Sequence, residues 1–336
     1  MKNEDIDVVI YWVDGNDPEW RKSFELYSGK SLGRFRDLGI LKYVFRCIEF
    51  NMPWVRHIHF ITNGQKPDWL KIDGKLKFHT HEDIFYYKDA LPVFNSSAIE
   101  SNFSNIPGLA EKFILFNDDT LVLKKVKKER FFRNNLPVDH IKLSFPRKGK
   151  IYKKLRPQNA LPIDFINNSY QFLDNNIIHK IGFNKVLSRR YSLSHNINNL
   201  FYSLFYKFFW FKVYHHPQSH LKSTWSNFFQ QDDKHGNVVK NTIYSKFRSA
   251  NDVNQYMYRF INLSNGNFYP QYFNDHISIF VDDIPAFEKS LNSYLEKTFF
   301  CICEDETLSN NDFYTLKKIL DIKLSILLPN KSTFEV

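Results

Sequence analysis

The sequence predicts an α/β fold with a mainly parallel sheet, and three observations carry that prediction. Short β-branched and aromatic runs recur through the first 120 residues, a helix-periodic stretch separates the first two, and two of the runs end in acidic turns. Strands alternating with helices build a parallel sheet, and such sheets gather ligands at the carboxyl ends of their strands. With 336 residues, 43% of them hydrophobic, the chain can fill a real core. The expected division is an α/β core over 1–150 and a mainly helical completion over 151–336.

Ile6 to Trp12 is the first strand, and Asp14-Gly15-Asn16-Asp17-Pro18 supplies the turn after it. Leu38, Leu41, Val44, Phe45 and Ile48 recur at helical spacing over 38–51, and Pro53 closes that segment. His57 to Thr62 reads as a second strand and Lys75 to His79 as a third. Lys112 to Phe116 is a further strand, running directly into Asn117-Asp118-Asp119. Beyond residue 150 the pattern turns helical and irregular around Pro157, Pro162 and Pro217. Leu200 to Tyr214 is the most apolar stretch; it suits a buried helix or an interfacial membrane contact, and its nearly all-round hydrophobicity favours burial. No internal repeat or low-complexity linker separates the halves, so the second is expected to pack on the first.

Forty-six Lys and Arg against 36 Asp and Glu give a formal net charge of +10, which attracts polyanions. The basic residues concentrate locally at 124–130 and 148–156, without an RNA-binding or helix-turn-helix signature, and nucleic acid is set aside as a partner. Phe and Tyr, 34 and 18 in number, suit stacking on planar or sugar ligands as well as core packing. Cys47, Cys301 and Cys303 form neither a disulfide framework nor a CxxC pair, so a reducing compartment is expected. The opening MKNEDIDVV lacks the apolar region of a secretory leader, and no apolar run approaches the ~20 residues of a spanning helix.

Adjacent carboxylates at Asp118 and Asp119 repel unless something compensates them; magnesium on oxygen ligands is one answer, a solvated turn the other. Asp14 and Asp17 allow the same two readings. His215, His216 and His220 lack the spacing of a zinc motif, while a histidine titrating near neutrality suits a general base. Arg34, Arg36 and Arg248 can clamp phosphate oxygens or lie on the surface, and Asp275 adds a late carboxylate.

Taken together, IDVVIYWVDGNDPEW, the stretch from RFRDLGILKYVFRCIEFNMPWVRHIHFITNGQKPDWL through LPVFNSSAIES to IPGLAEKFILFNDDTLVL, then HHPQSHLKS, KFRSANDVN and FND at 273–275 resemble the Stealth family. That family includes bacterial capsule polymerases and the lysosomal-enzyme N-acetylglucosamine-1-phosphotransferase. The resemblance implies a Rossmann-like, glycosyltransferase-A-like core that binds a nucleotide sugar. It implies transfer of sugar-1-phosphate from a UDP-sugar to a hydroxyl of a growing phosphodiester-linked glycan, with release of UMP. His215 is then the expected general base and Arg248 the stabiliser of phosphoryl charge. Asp14, Arg34, Arg36, Asn95, Glu100 and Asn117 are expected around the donor. Asp118, Asp119 and Asp275 are expected to bind Mg2+, with Mn2+ as a substitute. A cytoplasmic location follows from the donor, with peripheral contact to the inner membrane or to capsule export machinery. Two other readings stay open: a metal-dependent glycosyltransferase releasing UDP, and a non-catalytic glycan- or membrane-binding module.

Overall fold

The structure is a computed structural model that describes residues 5–28, 36–145, 154, 160–171, 173, 180–205, 210–229, 234–304 and 308–336. In chain order the strands are β1 (Ile6–Tyr11), β2 (Ile58–Thr62), β3 (Leu76–Thr80), β4 (Lys112–Asn117), β5 (Thr120–Val122), β6 (Phe132–Arg133) and β7 (Leu136–Asp139). They continue with β8 (Leu143–Ser144), β9 (Trp210–Phe211), β10 (Gln218–Leu221), β11 (Tyr269–Pro270), β12 (His276–Val281) and β13 (Phe299–Glu304). Apart from single-turn pieces, the helices are α1 (Pro18–Ser28), α2 (Leu41–Asn51), α3 (Ser96–Glu100), α4 (Ala160–Tyr170) and α5 (Leu193–Ser203). After them come α6 (Lys222–Phe229), α7 (Lys234–Tyr244), α8 (Gln255–Ser264), α9 (Ile284–Leu295) and α10 (Asn310–Leu327).

The main sheet runs in the order β10-β4-β1-β2-β3, with β1 to β4 parallel and β10 antiparallel on the edge of β4. The fold class is thus α/β, and all four strands expected in the first half are present. Side chains alternate along these strands, so each face needs its own cover. Val8, Ile10, Ile58, Phe60, Ile114 and Phe116 meet α2 and α10 through Val44, Phe45, Leu316 and Leu320. On the opposite face Val9, Ile61, Phe113 and Leu115 pack with Trp225 of α6, Val239 of α7 and Met257 of α8. A smaller core joins Leu143, Trp210 and Phe211 to α4 and α8.

The first helix of the expected 38–51 segment begins only at Leu41. Asp37 Oδ1 accepts from Gly39 N at 2.9 Å, and Gly39 sits at φ +73°, a left-handed conformation that favours glycine. Leu38 and Ile40 therefore stay buried while the chain turns. At the other terminus, Arg46 of α2 forks onto Glu335 (Nε to Oε1 2.8 Å, Nη2 to Oε2 2.6 Å) and donates Nη1 to the Leu328 carbonyl.

The second half supplies more than helices, since β9 to β13 all come from it. The boundary expected at residue 150 lies outside the described residues. The burial expected for Leu200 to Tyr214 holds at Trp210 and Phe211 but not in α5 and the turn after it, where Leu200, Phe201, Leu204 and Phe205 are exposed; 206–209 lie outside the described residues. Polar groups fasten α5 to the body instead: Asn199 Nδ2 donates to the Ile141 and Val186 carbonyls, and His195 Nε2 lies 2.7 Å from the Ile141 oxygen.

Candidate active site

β1 and β4 end side by side, with Tyr11 opposite Asn117. Directly after Asn117 the chain turns at Asp118 and Asp119 and returns as β5. Antiparallel pairing sets Gln218 of β10 against Leu115, so the chain reaches β10 from the carboxyl end of β4. His215, three residues earlier, lands with Nε2 at 3.0 Å from Asn117 Nδ2 and 3.6 Å from Asp119 Oδ2. β13 pairs with β5, Cys301 opposite Thr120, and Ile302 N donates to the Asp119 carbonyl at 3.1 Å. Cys303 Sγ then donates to Asp119 Oδ2 at 2.8 Å, and Thr120 Oγ1 to Oδ1 at 3.0 Å.

Burial disfavours an imidazolium at His215, but hydrogen bonds to Asp119 and Cys303 and the charge of Asp119 outweigh it and hold this histidine well above its usual range. The Asp119 carboxyl is lowered in turn, with burial opposing and His215 prevailing. The neighbouring Asn117 amide serves either state of the ring, offering its NH2 to a neutral nitrogen or its oxygen to a protonated one. Burial pushes the Cys301 thiol up to about 11, and its hydrogen bond to Cys301 followed by burial raises Cys303 well above the ordinary thiol range.

Glu100 lies under the same strand ends, buried, accepting from Tyr11 Oη at 2.8 Å and from Gln255 N at 2.9 Å. Burial raises its carboxyl, while the Arg248 and His215 charges act to lower it, which places both cations within its field. Arg248 is exposed, and its Nε and Nη2 donate to Ser96 Oγ at the start of α3. Asn95 caps α3 through Ser97 N and donates Nδ2 to the Ser245 carbonyl and Asp252 Oδ2, so this buried side chain fixes the loop that carries Arg248. Asp14 shapes the loop after β1: its Oδ1 accepts from Asn16 N, and its backbone exchanges hydrogen bonds with the Gln65 amide. Asp118 is half-buried beside Asp119; burial first, then Glu100, raises the Tyr11 phenol, and the Asp118 charge adds to that rise.

Other expected residues lie elsewhere. Asp275 forks onto Arg130 (Nε to Oδ2 2.7 Å, Nη2 to Oδ1 2.9 Å), and against the effect of burial a hydrogen bond from His276 together with this pairing holds its carboxyl far below the usual range. Arg36 donates to the Leu308 carbonyl and lies 4.5 Å over the Phe313 ring, anchoring the approach to α10. Arg34 is outside the described residues. His220, fully buried beside Phe113 and Trp225, is pushed down to about 3 by burial and is a neutral core residue.

Among the described residues, Asp119, His215, Cys301 and Cys303 offer ligand atoms within 4.8 Å of one another, a group able to hold a metal ion. Asp118 and Asp275 are not members. The donor set mixes one oxygen, one nitrogen and two sulfurs, and magnesium alone would draw only on the oxygen. Sequence reasoning missed the two cysteines. Their signal was the one used for β1 and β4: FFCICEDE is another apolar run ending in acidic residues.

Comparison with known proteins gives two family matches, to Stealth protein CR1, conserved region 1, over residues 4–32, and to Stealth protein CR2, conserved region 2, over residues 34–139. A capsular polysaccharide phosphotransferase, WcwK of Streptococcus pneumoniae, is 33% identical over 98% of this chain and 98% of its own. The exopolysaccharide phosphotransferase cps2G of Lactiplantibacillus plantarum is 32% identical over 98% and 96%, and the receptor polysaccharide phosphotransferase WefC of Streptococcus gordonii is 32% identical over 99% of each. Among solved structures, the galactosyltransferase LgtC aligns over 93% of this chain and 95% of its own, with a TM-score of 0.38 and 11% identity.

Proposed function

The chain belongs to the Stealth family, and from that premise we propose that it is a polysaccharide phosphotransferase whose chemistry centres on His215 and Asp119. The observation that carries this reading is the meeting of β4, β10 and β13, which brings an imidazole, a carboxylate and an amide together at the carboxyl end of the parallel sheet. The acceptor hydroxyl attacks the phosphorus that bears the sugar, a phosphodiester bond forms, and the bond to the departing UMP breaks. His215 takes the hydroxyl proton. Asp119, 3.6 Å from the ring, favours the imidazolium, so the resting proton of His215 passes to solvent before the neutral ring takes the hydroxyl proton, and the carboxylate then stabilises the imidazolium that forms. Arg248, exposed beside the strand ends, faces the charge that gathers on the transferred phosphoryl group.

A divalent ion held at Asp119 would supply charge neutralisation at the diphosphate. Magnesium would use Asp119 and Asp118 with the donor's own phosphates, and manganese, with its tolerance of nitrogen ligands, can replace it. The Asp14 loop at the end of β1 is the neighbouring wall for the nucleotide. The acceptor is a glycan that carries phosphodiesters, and its negative charge suits the chain's net +10.

Incubating the protein with a panel of UDP-sugars, short acceptors and Mg2+, Mn2+ or Zn2+ tests this reading. UMP release with a phosphodiester signal in the phosphorus NMR spectrum is expected; UDP release instead identifies glycosyl transfer and overturns it.

A further inference from the structure

We propose that α5 is a docking face for an anionic lipid bilayer. The helix is inside out. Its apolar side chains Leu193, Ile197, Leu200 and Phe201, continued by Leu204 and Phe205 in the turn that follows, are 44% to 77% exposed, whereas His195 and Asn199 on its inner side are 3% and 0% exposed. The spacing 193, 197, 200/201, 204 puts them on one face of the helix. Ordinary folding pressure orients such a stripe toward the core. Here polar bonds decide the orientation: Asn199 accepts from Leu143 N at 3.0 Å besides its two donations, and Ser192 caps the first turn through His195 N. The apolar stripe is left facing outward, with Phe145, also exposed, against Tyr202.

Charge selects the occupant. From residue 175 to 231 the sequence contains no Asp or Glu, yet it contains Lys180, Lys185, Arg189, Arg190, Lys207, Lys212 and Lys222. Arg189 and Arg190 are exposed immediately before the Ser192 cap. Lys185 donates to the Gly266 carbonyl and Arg190 rests 4.6 Å over the Tyr269 ring; Lys207 lies outside the described residues. A second copy meeting this face would bring two acid-free basic segments together, an unfavourable pairing. Anionic headgroups above an acyl layer accept both the cations and the stripe. Among the described residues no helix is long and apolar enough to cross a membrane, and the eleven residues of α5 suit lying in the interface plane.

The test is co-sedimentation of the whole chain with phosphatidylcholine vesicles, with and without phosphatidylglycerol. Binding to the anionic vesicles is expected, weakened by salt. The double variant Leu200→Glu, Leu204→Glu should weaken it at least about tenfold while circular dichroism stays unchanged, because both side chains are already exposed. Arg189→Glu with Arg190→Glu should reduce the preference for anionic over neutral vesicles. Failure of the wild type to sediment, or equal binding by the glutamate variant, overturns the proposal; so does self-association without vesicle binding that the glutamates abolish, which would make the occupant a second copy. Sedimentation needs no sugar donor, so either outcome leaves the phosphotransfer reading untouched.

Discussion

At the scale of single residues, the division of labour around Asp119 is set by what each neighbour can do with a proton. Thr120 and Cys303 donate to its two oxygens, and His215 lies 3.6 Å away, so the carboxylate stays ionised and the imidazole stays charged in the resting site. His215→Ala should reduce single-turnover rates by roughly 10²–10⁴, with donor affinity little changed; a near-wild-type rate would exclude it as the base. Asp119→Asn should bring the His215 pKa down toward the ordinary imidazole value, because the carboxylate that raises it is gone, and an NMR titration of that ring reads the shift. Much of this was legible in the sequence: Asn117, Asp119 and His215 stand out as an acidic strand end and a histidine in the HHP segment. Asp275 stands out equally well as a carboxylate, but its Arg130 partner is 145 residues away, beyond what sequence spacing reports.

Among the elements, β1, β2 and β4 announce themselves through apolar runs, whereas β10 reaches its place only through pairing with β4. A four-residue strand beginning at Gln218 has no alternation that sets it apart from a loop. The α5 stripe carries a different lesson: periodicity shows that a helix has an apolar side but not which side meets the protein, and buried Asn199 and His195 settle that here. Asn95 and Glu100 are expected in the sequence to shape the donor site, and in the structure they bond to 245–255 and fix the loop that presents Arg248. The C-terminal segment is fastened as firmly. Arg46→Ala leaves Glu335 buried without its partner and should cost about 3–5 kcal/mol in denaturant unfolding; a loss below about 1 kcal/mol would show that the tail depends on Phe334 and its neighbours instead.

For the whole molecule, several histidines are buried neutral within a basic chain. Burial, aided at His79 by the His59 charge, lowers His79 and His81 to about 4 and His220 to about 3. The unfolded chain binds these protons near pH 6.5 and the folded chain does not, so stability falls as pH drops from about 6.5 toward 4. Asp7, held ionised against burial by His59 and Arg56, adds a further loss once the pH falls below the usual carboxylate range. The urea midpoint should therefore be lower at pH 5 than at pH 7, and His220→Phe should narrow that gap; a midpoint unchanged between the two would contradict this account. The placement of β10 also bears on how the chain is made. On the ribosome, β4 emerges with one hydrogen-bonding edge bare, and its partner follows about a hundred residues later, a wait of about 5–20 s at typical synthesis rates. Throughout that interval an apolar strand with an open edge invites pairing with other nascent chains. A fold that brings its base in on the last strand of the sheet thus depends on chaperone protection during synthesis, and slowing translation should raise the aggregated fraction.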